Sequence, residues 1–168
     1  MGRRPWSRPG LVAAIAVFGW AVPIGSASAA APTNVCTIAG VTKAVASKTF
    51  GAPATTTFVP SDGTYYARCD IATAKSVGAQ LWLYGASSAP TLLSQFEGSV
   101  PKATRAHLPT LGKGALLLHQ PASFGTSAAT LVLFTRGPYF VAIIAENQYS
   151  ASSAQLLTLA RGIHSKIH

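Results

Sequence analysis

The run Tyr139-Phe140-Val141-Ala142-Ile143-Ile144 is apolar at every position rather than at alternate ones. Leu131 to Phe134 and Leu81 to Tyr84 behave in the same way. Successive side chains of a strand point to opposite faces, so a strand apolar throughout must be covered on both faces. Three segments are available as cover. Thr37 to Phe50 carries Ile38, Val41 and Val45 at helical spacing, with Gly51 as a stop and Pro53 just beyond. Ser88 caps a second helix with Pro90 in its first turn, and Leu92, Leu93 and Phe96 form its apolar side. Ser152 to Ile167 repeats Leu156, Leu159, Ala160 and Ile163 along one side. The pattern predicts an α+β fold in the order α-β-β-β-α-β-β-β-α, a central, mostly antiparallel sheet flanked by helices on both faces.

Six strands fill that order. Thr55 to Val59, Tyr65 to Thr73 and Gly78 to Tyr84 form a first meander, with Pro60-Ser61-Asp62-Gly63 as a turn. Ala115 to His119, Ala129 to Thr135 and Tyr139 to Glu146 form a second, closed by a tight turn at Gly137-Pro138. Gly98 to Lys113, with Pro101 and Pro109, reads as a loose connection.

The N-terminus reads as a targeting segment. Arg3, Arg4 and Arg8 precede the apolar run Leu11 to Val22, and Pro23 and Gly25 end it before Ala27-Ser28-Ala29. A basic stretch, an apolar stretch and a small-x-small site make a secretory signal peptide. The run is shorter than the ~20 residues a spanning helix needs, so no stable membrane anchor is expected in the mature form. Residues 1–29 are therefore expected to be removed by cleavage after Ala29, residues 30–35 to form a short leader, and 36–168 a single disulfide-stapled domain. The Arg3-Arg4 pair suggests twin-arginine export, but Pro5-Trp6-Ser7 replaces the apolar residues that route expects, which favours the general secretory route.

Export frames the rest of the composition. The chain has 13 basic residues and 4 acids, and losing three signal arginines leaves ten bases against four acids, a net charge of +6. The bases are scattered, which suits solubility and weak attraction to an anionic envelope component. Nucleic acid is not an expected partner, because export removes it. Two cysteines in an exported chain read as one disulfide, Cys36–Cys69. It closes a loop of about 34 residues and stabilises by roughly 3–4 kcal/mol on the chain-entropy model. There is no C-x-x-C and no Cys/His cluster that would point to redox or metal work.

Cys36 at the head of the first helix, Cys69 in the second strand, Leu111-Gly112-Lys113-Gly114-Ala115 leading into the second meander, and the closing helix around Ala154–Ile163 resemble small exported actinobacterial domains of unknown function. Many of those are lipoproteins related to the PsbP-like α/β/α sandwich. The resemblance implies a cell-envelope role and brings no catalytic residues. Thr33-Asn34-Val35 before Cys36 lacks the Leu and small residues of a lipid-attachment site, so acylation is not expected here.

Chemistry-bearing residues are few. The acids are Asp62, Asp70, Glu97 and Glu146; Asp70 and Glu146 are candidates for a carboxylate pair or for ion pairs with Arg68 or Arg136. His164 and His168 have metal-ligand spacing on the last helix, without an acid to complete a shell. His107 or His119 with a serine, and Asp70 as third member, is the arrangement a hydrolase would need. Gly112-Lys113-Gly114 lacks the spacing of a phosphate loop. The aromatics Tyr65, Tyr66, Trp82, Tyr84, Tyr139 and Phe140 fall on strands or strand ends, where they pack a core or line a ligand groove. No cofactor is expected. The chain is expected to be secreted or wall-associated, as a non-catalytic cell-envelope binding or interaction module for an anionic component or another envelope protein. An envelope-acting hydrolase and a structural wall protein are the alternatives.

Overall fold

A computed structural model describes residues 34–61, 67–98, 104–122, 127–146 and 149–168. The expected signal peptide, its expected cleavage site at Ala29, Tyr65, Tyr66 and Asp62 lie outside these residues. Among the described residues no helix is long and apolar enough to cross a membrane.

The fold is α+β, built on a seven-stranded sheet in the order β1-β2-β3-β7-β6-β5-β4. The elements are α1 (Val35–Ile38), α2 (Lys43–Phe50), β1 (Ala54–Val59), β2 (Arg68–Thr73), β3 (Gly78–Gly85), α3 (Ala89–Gly98), β4 (Thr104–His107), β5 (Leu116–Gln120), β6 (Ala129–Arg136), β7 (Tyr139–Glu146) and α4 (Ser153–His164). Short 3-10 turns lie at Ala86–Ser88 and Pro109–Leu111. Every neighbouring pair is antiparallel. Two meanders, β1-β2-β3 and β4-β5-β6-β7, meet where β3 pairs with β7. The most apolar strands, β6, β7 and β3, thus take the middle of the sheet, as their two-faced burial demands.

Alternation divides the side chains into two cores. On one face Cys69, Ile71, Leu81, Leu83, Val132, Phe134, Val141 and Ile143 pack under α1, α2 and α4. On the other, Leu118, Leu131, Leu133, Phe140 and Ala142 pack under Ala89 and Leu92 of α3. Helices therefore cover both faces. The disulfide Cys36–Cys69 (Cα–Cα 5.1 Å) ties α1 to β2 inside the first core.

Four sequence expectations shift. The first helix is broken: Gly40 adopts φ +65°, and Thr42 starts α2 by accepting a hydrogen bond from the Val45 amide. A side chain at Gly40 would press on Lys166. The break lets α1 reach the disulfide while α2 lies along β1. The expected leader through residue 35 ends earlier, since Asn34 caps α1 and Val35 is fully buried. The loose connection contains a seventh strand, β4, whose four exposed residues carry no apolar signal. The last helix ends at His164, and the chain then turns so that Ile167 is buried and its carbonyl accepts from Arg136 Nε at 3.1 Å.

Candidate functional site

Among the described residues, cover on the second face is incomplete. Its core takes side chains from β3, β5, β6 and β7 but none from β1 or β2. Over those two strands the face carries Thr55 and Thr57, which are exposed, and Val59, Arg68, Asp70 and Ala72, which are half-buried. Trp82 stands on β3 where the covered and open halves meet.

Register assembles this site. Arg68 lies opposite Trp82, and Asp70 opposite Gln80. Residues two apart on a strand share a face, so Arg68 reaches Asp70 on its own strand: Nε donates to Oδ1 at 2.9 Å and Nη2 to Oδ2 at 3.4 Å. The same guanidinium lies 5.3 Å from the centre of the indole, within cation–π range. The two charged side chains keep 25% and 19% of their surface, so the pair adds little stability, of order 1 kcal/mol or less.

Among the described residues, two buried side-chain atoms have no hydrogen-bond partner: Trp82 Nε1 and Gln95 Oε1. Gln95 lies three residues after buried Leu92, on the sheet-facing side of α3. A buried group left unpaired costs about 1–3 kcal/mol. The first is a donor and the second an acceptor.

The other sequence-proposed aromatics do not assemble into one groove. Phe140 is fully buried in the second core, with Tyr84 at 6.1 Å and Phe96 at 6.5 Å between ring centres. Tyr139, its neighbour on β7, necessarily turns to the other face and packs on the first core. Trp82, Tyr84 and Phe140 share a face, and Trp82 lies beside Arg68 of its open half.

A second site gathers around His119. A shallow cleft of about 540 Å³ lies at the end of β5, lined by His119, Gln120, Thr130, Tyr149 and Ser150 among others. His119 Nδ1 is 3.3 Å from Thr130 Oγ1, its cross-strand neighbour, and Nε2 is 3.5 Å from Ser153 Oγ. Sequence reasoning anticipated a serine beside His107 or His119 but had no means of choosing Ser153, which α4 delivers from 34 residues away. The position opposite the serine, where a carboxylate would hold and charge-balance the imidazole, is filled by a threonine hydroxyl.

The described carboxylates are elsewhere. Asp70 pairs with Arg68, which the sequence offered as one option, and Glu97 pairs with Arg105 at 2.8 Å. Glu146 sits at the end of β7, and burial raises its pKa above the usual carboxylate value. His164 packs against Phe134 at 5.7 Å, and burial with nearby Arg136 lowers its pKa. His168 lies beyond the end of α4, so it and His164 do not share a helical face. Among the described residues no three His, Cys, Asp or Glu side chains cluster as metal ligands would.

No protein-family model, curated protein or solved structure matches this chain.

Proposed function

We propose that the chain is exported, loses residues 1–29, and acts in the cell envelope as a non-catalytic binding module. The likeness to exported actinobacterial domains and the basic signal-like N-terminus support the location. The observation that carries the binding role is the Trp82 indole, with the Arg68 guanidinium stacked on it, at the border of a half-face that no described helix covers. That border also offers the Arg68–Asp70 pair, Gln80 and the hydroxyls of Thr55 and Thr57. A flat aromatic surrounded by hydrogen-bonding groups suits a hydroxyl-rich envelope polymer, and the basic excess favours one that is anionic.

The test is sedimentation with isolated, protein-free cell walls. Walls retain the wild-type protein, and Trp82→Ala or Arg68→Ala lowers retention at least tenfold. Equal retention of both variants, or none by the wild type, removes the reading. Mass spectrometry of the native protein checks the location: it finds a chain starting near residue 30 with Cys36 and Cys69 joined.

The Ser153–His119 contact favours a second reading, an envelope hydrolase with Ser153 as nucleophile and His119 as base. A fluorophosphonate probe labelling Ser153, with loss of labelling in His119→Ala, would establish it.

A further inference from the structure

We propose that two copies of this chain join edge to edge through β1, extending the sheet across a two-fold axis at Thr57. The sheet has two edges, β1 and β4, and they are built differently. The four residues of β4 are exposed, and its Arg105 is tied by Nη1 and Nη2 to the Glu97 side chain and carbonyl. Short length and charge are the usual protection of an edge. The β1 edge has six residues, Ala-Thr-Thr-Thr-Phe-Val, with no charge, no proline and an uninterrupted register against β2.

Two hydrogen bonds fix which β1 groups point outward. The Ala54 amide donates to Ser47 Oγ, and the amide of its partner Thr73 donates to Val77 of the β2–β3 turn. Ala54 and Thr73 are therefore a non-hydrogen-bonded pair. Alternation then makes Thr56–Ile71 and Phe58–Cys69 non-hydrogen-bonded as well. The N–H and C=O of Thr56 and Phe58 point off the sheet, and none of them bonds to a described residue outside β1 and β2.

This edge complements itself in one register. With the axis at Thr57, Thr56 of each copy faces Phe58 of the other, and each pair exchanges two ladder bonds. An axis at Thr56 would set Phe58 against Ala54, whose amide already serves Ser47. An axis at Phe58 would set Thr56 against Pro60, which has no N–H. In the Thr57 register the two Thr57 side chains meet as a favourable Thr–Thr pair. On the first face α2, which packs on β1, brings Val45, the exposed large apolar side chain among the described residues. The axis stands perpendicular to the sheet, so both Trp82 borders look to the same side, and a polymer engaging one raises the effective concentration of the other. The dimer itself does not depend on that binding.

Sedimentation velocity and non-reducing mass analysis test this on protein purified from cells expressing the entire chain. The wild type shifts to twice the monomer mass as concentration rises. Thr57→Cys oxidises to a cross-linked dimer through the substituted position. Thr56→Pro removes an outward N–H, which an edge strand tolerates, and gives a monomer with unchanged circular dichroism. Thr57→Lys places like charges across the axis and also gives a monomer, so the test stands even where the proline variant misfolds. A wild type that stays monomeric at all concentrations, or a dimer that survives Thr57→Lys, overturns the proposal.

Discussion

The two faces of the sheet are built to different standards. The first is covered by three helices, is stapled through Cys36–Cys69, and buries Ile71, Leu81, Ile143, Leu156 and Ile163 almost completely. The second, among the described residues, is covered by one helix, α3, which does not reach β1 and β2, and holds two buried polar atoms without partners. Burial of apolar surface is the main favourable term in folding, so the first face holds most of the stability. The second face retains unspent hydrogen-bonding capacity. A chain whose stability is concentrated on one side has the other free to meet a ligand.

Mutations can break this contrast. Phe134→Ala, in the first core, costs about 3–5 kcal/mol in urea unfolding. Replacing both Cys36 and Cys69 by serine costs about 3 kcal/mol, seen as a lower Tm that reducing agent no longer changes. On the open half, Thr55→Ala or Thr57→Ala stays within about 0.5 kcal/mol of wild type in the same assay. Losses of similar size on both sides would end the contrast.

Trp82→Phe sharpens it. The indole N–H has no bond to lose, so stability changes by less than about 1 kcal/mol while wall retention falls. A large loss of stability with retention unchanged would make Trp82 a core residue and nothing more.

Glu146 gives the smallest effect. Its folded pKa lies above the ordinary value of 4.5. The unfolded chain therefore loses its proton first as pH rises, and stability declines from about pH 4.5 upward until the folded group has ionised too. Thermal melts of Glu146→Gln across this range lack that decline, and the variant is the more stable at neutral pH.

Much of the fold was legible because the signals were local. Consecutive apolar residues in Tyr139 to Ile144 demanded cover on both faces, and α4 announced itself through its Leu156–Leu159–Ile163 stripe. The break at Gly40 was also written locally, in a glycine followed by a capping threonine, but the Ile38–Val41–Val45 periodicity masked it. Nothing in Thr104 to His107 marks a strand, since an exposed edge needs no apolar alternation. The site was harder to read. Alternation alone separates Tyr139 from Phe140, and pairs Arg68 with Asp70 on one face. The Arg68–Trp82 stack needed the β2–β3 register, and Gln95 and Ser153 needed the helices docked. Sequence spacing carries neither.

The open face can be questioned directly through its own fluorophore. Trp6 and Trp20 precede Ala29, so Trp82 is the sole tryptophan of a chain cleaved there. Solubilised wall polymer titrated into that form shifts and quenches Trp82 emission with saturation, and Arg68→Ala abolishes the change. Emission that stays constant while the polymer demonstrably binds would put the ligand elsewhere and contradict the account.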